Sequence, residues 1–205
     1  MMKHRSLALV LSALSLTAVL PACAPLLVGG AAAGTALVVS DRRTSGAIVQ
    51  DQSNEARITY EFLQRIKVSG THFTVNSFDG KVLLTGEVPA EAVKEDAGRI
   101  AASVVGVRTV VNELAIMPAS SLTERSNDLL LAARINAELL NKQNVPYSAV
   151  RVVAERGTVY LMGIVTETEA NATAAVASRV SGVKSVVKVF EIESAAEIRR
   201  RLGVS

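Results

Sequence analysis

The feature that most constrains the fold of this 205-residue chain is an internal repeat. Residues 56–58 recur as 133–135, and residues 80–82 have their counterpart at 157–159, both 77 positions later. Beyond residue 100 the offset becomes 76, because one residue is dropped in a connecting loop, where such changes are tolerated. Each unit has about 60–65 residues, near the lower limit for burying a core without disulfides. The sequence therefore predicts two small, similar domains that pack against each other.

Each unit begins with a predicted amphipathic helix, because apolar residues recur at helical spacing. These residues are Ile58, Phe62 and Ile66 in the first unit and Leu131, Ile135 and Leu139 in the second. A second helix follows later in each unit, and Thr166 with Glu169 forms a capping-box pattern at the start of the later copy.

Between these helices, each unit has two β-rich runs joined by a short turn that ends in glycine, which is typical of an antiparallel hairpin. A third run, 109–116 or 185–192, closes the unit. Six glycines are predicted to hold turns and caps: Gly80, Gly86, Gly106, Gly157, Gly163 and Gly182. The predicted fold class is α+β, with the order α-β-β-α-β twice and a small three-stranded mixed sheet covered by two helices in each unit.

This order, with a glycine before the second strand, a glycine closing it and Gly-Val before the last strand, resembles the BON domain, a small bacterial module. The resemblance covers 55–116 and 127–193, and it extends to the strings 41–46, 126–128 and 162–167. The resemblance implies two tandem BON domains that make up nearly all of the mature chain.

The start of the chain is predicted to be a lipoprotein signal peptide, residues 1–22. Lys3 and Arg5 precede an apolar stretch too short to span a membrane, and Leu20-Pro21-Ala22-Cys23 resembles a bacterial lipobox. Such a motif implies that Cys23, the only cysteine, carries an S-diacylglycerol and an N-acyl group. The alternative is a secreted protein with one buried free thiol.

Two BON-like units behind a lipobox resemble the dual BON-domain lipoproteins of the Gram-negative outer membrane. Ala24 follows the cysteine, where an aspartate would retain enteric lipoproteins in the inner membrane. The resemblance therefore implies a lipid-anchored outer-membrane protein that faces the periplasm.

The predicted organisation after the leader has five parts. They are a lipidated Ala/Gly-rich tether (23–53), BON domain 1 (54–116), a linker (117–125), BON domain 2 (126–193) and a basic C-terminal tail (194–205). The apolar part of the tether either inserts in the membrane or lies against a surface, and we favour the second interpretation. The tail with Arg199, Arg200 and Arg201 either reinforces contact with anionic lipid or is a solvated end, and we favour the second interpretation.

Charge gives no support for nucleic-acid binding. The whole chain has 22 basic and 19 acidic residues. Removal of the signal peptide removes Lys3 and Arg5, so the mature chain has 20 basic and 19 acidic residues. Basic residues are not interleaved with aromatic ones, as a single-strand binder requires.

Catalytic chemistry is also poorly supported by the sequence. His72 is the only histidine after the leader, no nucleophile motif lies near it, and we interpret it as a surface strand residue. Glu91, Glu95 and Asp96 are spaced as on a solvated helix face, not as metal ligands. We therefore expect a binding module with no catalytic residue, no metal, no cofactor beyond the lipid and no small-molecule substrate.

The two copies differ most at one set of equivalent positions. The second copy has Leu129, Leu130 and Leu131 there, and the first copy has the polar residues 52–54. If Leu131 faces the core, Leu129 and Leu130 point elsewhere. Next to Arg134 they suit a surface that enters lipid while its cation meets anionic head groups. Packing against the first domain or the linker is the alternative.

The family resemblance favours lipid, because BON domains are regarded as phospholipid-binding modules and the first helix of the second unit is the implicated surface. It assigns anionic phospholipid contact to Leu129, Leu130, Arg134 and Ala137, with Ala133 as an addition. The family has an aromatic residue at the position of Leu130. The predicted function is membrane binding that supports envelope integrity, and the alternative is a non-enzymatic scaffold with an envelope or peptidoglycan-remodelling protein as partner.

Overall fold

The computed structural model describes residues 41–203. The predicted leader, Cys23 and the tether up to residue 40 lie outside the described residues. Within 41–203, no helix has both the length and the apolar character that crossing a membrane requires.

The first domain follows the predicted order α-β-β-α-β. Its elements are α1 (Ser45–Arg65), β1 (His72–Phe78), β2 (Lys81–Val88), α2 (Glu91–Ser103), β3 (Thr109–Asn112) and β4 (Ala115–Ile116). Strand β2 lies at the centre of the sheet, antiparallel to β1 and parallel to both β3 and β4.

The second domain repeats this architecture. Its elements are α3 (Leu122–Leu140), a 3₁₀ turn (Tyr147–Ala149), β5 (Val150–Glu155), β6 (Thr158–Val165), α4 (Glu167–Ala177), β7 (Ser185–Lys188) and β8 (Glu191–Ile192). A last helix, α5 (Ala195–Arg201), follows the domain. The pairing of β6 with β5, β7 and β8 matches that of β2.

Each predicted closing strand is divided into two short strands. The interruption in the first domain is at 113–114, where Leu114 is buried, and in the second at 189–190, where Val189 and Phe190 are buried. The breaks place these apolar side chains in the cores.

Two boundaries differ from the prediction. Helix α1 begins at Ser45, nine residues before the predicted start of domain 1, with Thr44 as its N-cap. Helix α3 begins at Leu122 inside the predicted linker, because Ser121 and Glu124 form a capping box. The connection between the domains therefore shortens to 117–121.

The hairpin turns have the same backbone in both domains. Asp79 and Gly80 have φ of 50° and 75°, and Arg156 and Gly157 have φ of 52° and 78°. Two successive positive φ angles define the type I′ turn, whose twist suits a two-residue hairpin.

Each domain has a core between its helices and one face of its sheet. In the first, Val82, Leu84 and Val88 of β2 face Ile58 and Phe62 of α1. In the second, Val159, Leu161 and Val165 of β6 contribute to a core with Leu131, Ile135 and Leu139 of α3. The predicted core stripes of both first helices are buried except for Ile66, which is the C-cap of α1 and is only partly buried.

A third core lies between the two sheets. It contains Phe78, Leu83, Tyr160, Met162, Ile164, Val189 and Ile198. Because side chains alternate along a strand, β2 and β6 are buried on both faces, and the domains form four layers in the order helices, sheet, sheet, helices. Among the described residues, every member of the three cores lies between Ile58 and Leu202, so this segment has hydrophobic cores of its own.

The C-terminal tail is part of this interdomain core. Ser194 and Glu197 cap α5, and Ile198 is 6% exposed within the third core. Arg201 forms ion pairs with Glu193 and with Asp79 of the first domain. The interpretation as a solvated end is wrong for Ile198 and Arg201, although Arg199 and Arg200 are exposed.

Candidate functional site

The outer face of α3 presents leucines to solvent. Leu129 is 73% and Leu130 61% exposed, whereas Leu131 is buried in the core of its own domain. The alternative in which Leu129 and Leu130 are buried against the first domain therefore does not hold for residues 41–203.

Two further leucines extend this surface, and the sequence analysis missed them. Leu122 is 78% and Leu140 56% exposed. With 100° per residue, Leu122, Leu129 and Leu140 fall within about 20° of one another on the helix circumference. Leu130 lies about 80–100° further round the helix. We call Leu122, Leu129, Leu130 and Leu140, which together span about 100° of the circumference, the leucine face. The capping box at Ser121 and Glu124 is the signal that would have included Leu122 in the helix.

Beside the leucine face lies an open groove of about 440 Å³ between α3 and the end of α4. It is lined by Arg134, Ala137, Glu138, Lys142, Val176, Arg179, Val180 and Ser181. Arg134, Lys142 and Arg179 outnumber the single acidic residue, Glu138. None of these three cations forms an ion pair with another residue of the described range 41–203.

Of the five predicted lipid-contact residues, Arg134 and Ala137 line this groove. Leu130, Ala133, Arg134 and Ala137 are all exposed on one arc of α3, and Leu129 lies at the edge of that arc. Leu129 also borders a cavity between the two domains. The helix therefore brings the predicted residues to one surface.

The first domain has a groove of about 450 Å³ at the corresponding place, with a different character. Tyr60 stands where the second domain has Ala137, and the Nε of Arg65 lies 2.7 Å from Oε2 of Glu61, so this cation is paired. Polar Gln52 and Ser53 replace Leu129 and Leu130. Arg57 in the groove of the first domain also forms no ion pair with another residue of 41–203, so what distinguishes the second domain is the exposed pair Leu129 and Leu130 beside three such cations.

A second polar site lies between the domains, and it corrects the interpretation of His72 as a surface residue. His72 and Glu87 face each other on β1 and β2, with Nδ1 3.1 Å from Oε2. Glu155 of β5 approaches them from the second domain, and one ligand atom of each residue lies within 4.8 Å of the other two. Glu91, Glu95 and Asp96, in contrast, are exposed on α2.

The pKa values of the two buried carboxyl groups in this cluster are shifted in opposite directions. Burial acts to raise the pKa of Glu87, but hydrogen bonds from Ser120 and Arg156 outweigh it and hold the pKa below its ordinary value. Burial raises the pKa of Glu155 to about 7, and the charge of Glu87 adds to the rise. Near neutral pH, Glu87 is therefore ionised and Glu155 is partly protonated.

The chain belongs to the BON domain family, whose model matches residues 50–118 and 127–194. It is similar to Outer membrane lipoprotein DolP of Haemophilus influenzae, with 38% identity over 189 residues, 91% of this chain and 95% of that protein. The 21 kDa hemolysin of Actinobacillus pleuropneumoniae is 32% identical over 73% of this chain and 78% of its own length. Osmotically-inducible protein Y of Escherichia coli is 28% identical over 73% and 76%.

These comparisons confirm the predicted dual BON-domain architecture, the α+β class and a DolP-like lipoprotein of the outer membrane. None of the three relatives has the name of an enzyme. The residue-level lipid contacts remain predictions.

Proposed function

We propose that this protein is anchored to the outer membrane through lipid on Cys23, faces the periplasm, and binds anionic phospholipid through its second BON domain. In doing so it supports the integrity of the envelope without catalysing a reaction. The name of the Haemophilus influenzae relative, an outer membrane lipoprotein, supports the envelope location.

The observation that carries the proposal is the leucine face beside Arg134, Lys142 and Arg179. Four exposed leucines on one helix are unusual for a surface that meets only water. Apolar side chains flanked by cations are typical of helices that lie in a lipid interface, with the cations at the level of the head groups.

The burial of leucines and the attraction of cations to head groups each make a modest contribution to the free energy of membrane binding. Burying two leucines contributes roughly 3–5 kcal/mol, and each cation near an anionic surface adds about 1 kcal/mol. A lipid anchor on Cys23 raises the effective concentration of the surface near the membrane, so weak binding becomes sufficient.

The test is co-sedimentation of the fragment 41–205 with vesicles of phosphatidylcholine alone or with added phosphatidylglycerol, at low and high salt. We expect binding only to the anionic vesicles, and weaker binding at high salt because salt screens the three cations. Leu130→Glu should weaken binding about ten- to a hundredfold, since it removes one buried leucine and adds a negative charge.

The matched control is Leu63→Glu in α1. Leu63 is 63% exposed, close to the exposure of Leu130, but it lies in the first domain. This variant should bind as the unmodified fragment does. Equal loss in both variants, or no binding by the unmodified fragment, would contradict the proposal and leave the leucine face as a protein-binding surface.

A further inference from the structure

The interdomain cluster of His72, Glu87 and Glu155 has no role in lipid binding. His72 and Glu87 belong to the first domain, and Glu155 ends β5 in the second. Glu87 is fully buried and Glu155 is 4% exposed. Glu155 therefore reaches the His72–Glu87 pair only because the domains are docked.

A cavity of about 340 Å³ adjoins this cluster between the sheets. Thr85 lies in it, on the same face of β2 as Glu87, and is fully buried. Within residues 41–203 its Oγ1 has no hydrogen bond of ordinary geometry, although it lies close to the carboxyl group of Glu155. A buried hydroxyl without such a bond is costly, so it indicates that the cavity accommodates a polar occupant.

The charges around the cluster favour a cation as this occupant. Glu87, Glu155 and Asp128 are the acidic groups, and the ion pair from Arg156 reaches Glu87 at 2.6 Å. Arg125 also borders the cavity, but its guanidinium donates to the side chain and backbone of Ser120. A divalent cation compensates two neighbouring carboxylates such as those of Glu87 and Glu155.

We propose that His72, Glu87 and Glu155 bind a divalent transition-metal ion of the zinc class that links the two domains. One imidazole nitrogen with two carboxylate oxygens is a donor set suited to zinc, whereas calcium and magnesium prefer oxygen ligands alone. Ligand atoms that lie about 2.0–2.1 Å from a tetrahedral zinc ion are about 3.3 Å from one another. The 3.1 Å between Nδ1 of His72 and Oε2 of Glu87 is close to this separation, and one ligand atom of Glu155 lies within 4.8 Å of both residues.

The fragment 41–205 is well suited to the test, because it contains no cysteine and His72 is its only histidine. The untagged fragment is stripped with a chelator and titrated with zinc chloride by calorimetry, and thermal unfolding is measured with and without zinc. We expect one ion per chain and a higher unfolding temperature with zinc, since a ligand that binds only the folded state stabilises it. Cobalt(II) should give visible absorption bands in the same protein.

Three variants make the assignment specific. His72→Ala and Glu155→Gln should weaken zinc binding at least about tenfold. Glu95→Gln, on the exposed face of α2, should bind zinc normally. Glu155→Gln resembles the protonated carboxyl group, so its circular dichroism should show a folded protein. Absence of saturable zinc binding by the folded fragment, or equal binding by His72→Ala, would overturn the proposal.

Discussion

Asp51 and Asp128 hold equivalent positions in the two domains, and each carboxylate closes the hairpin of its own domain. Asp51 accepts hydrogen bonds from the backbone N–H groups of Asp79 and Gly80 at 2.7 and 2.8 Å. Asp128 accepts from Arg156 and Gly157 at 2.7 and 2.9 Å. The helix that begins each domain is thus tied to its type I′ turn.

Asp51 has the larger stabilising role of the two, because it also accepts from the hydroxyl of Ser77 at 2.6 Å and from Arg43 at 3.0 Å. Asp51→Ala leaves these buried donors without a partner and should lower the free energy of unfolding by about 3–5 kcal/mol. Asp128→Ala loses two backbone donors and should cost about 1–3 kcal/mol. Urea denaturation of both variants checks this order, and a larger loss for Asp128→Ala would contradict it.

Acid should destabilise the protein through Asp51. Burial acts to raise the pKa of Asp51, but hydrogen bonds from Ser77, Gly80, Asp79 and Arg43 hold the folded-state pKa below its ordinary value. Its contribution is therefore complete above the unfolded-state pKa, near 4, and is lost as the pH falls through the folded-state pKa. Urea midpoints between pH 7 and pH 3 should decrease less steeply in Asp51→Asn. The same slope in both proteins would exclude Asp51 as a contributor.

Arg42 should hold the two domains together. Its Nη1 and Nη2 lie 2.8 and 2.7 Å from the carboxylate oxygens of Glu169, and Nη1 also donates to the carbonyl of Ile164 at 2.9 Å. Such a bidentate, partly buried pair is stronger than an exposed one. Arg42→Ala should cost about 1–3 kcal/mol and speed amide hydrogen exchange at the start of α4.

The matched change for Arg42 is Arg99→Ala, because Arg99 pairs with Asp96 on the exposed surface of α2. This variant should change stability by less than about 0.5 kcal/mol. If the two arginine variants were equally stable, the interdomain pair would contribute nothing measurable.

The C-terminal helix should contribute to stability through Ile198. Truncating this side chain leaves a cavity in the interdomain core, and Ile198→Ala should cost about 2–4 kcal/mol. Ile192 lies nearby in β8 but is 49% exposed, so Ile192→Ala should cost less than about 1 kcal/mol. Thermal unfolding of the pair measures the difference, and similar melting temperatures would show that α5 does not contribute to the core.

The sequence predicted the helices and strands well because their periodicity depends on local patterns. Ile58 and Phe62 recur at helical spacing and face the core of domain 1. Contact between the two domains was predicted, but not that it would form between the two sheets. One signal was present, since residues 159–165 are almost continuously apolar, which is typical of a strand buried on both faces.

The interdomain cluster could not be predicted from sequence spacing. His72 and Glu155 are 83 residues apart, and their proximity depends on how two separately folded units dock. The exposed leucines of α3 were easier to predict, because the difference between Gln52-Ser53 and Leu129-Leu130 is visible when the repeats are compared. The extent of the leucine face required the helix boundary at Leu122.

The most direct test of the central claim uses a pair of single-cysteine proteins made from the fragment 41–205, which has no cysteine of its own. Ala133→Cys lies on the exposed arc of α3, and Ala56→Cys is its counterpart 77 residues earlier, also exposed. Each is labelled with an environment-sensitive fluorophore and mixed with anionic or zwitterionic vesicles. The account predicts a blue shift for the label at 133 with anionic vesicles only, and none at 56. Equal shifts at both positions, or a shift at 56 alone, would contradict lipid recognition by the second domain.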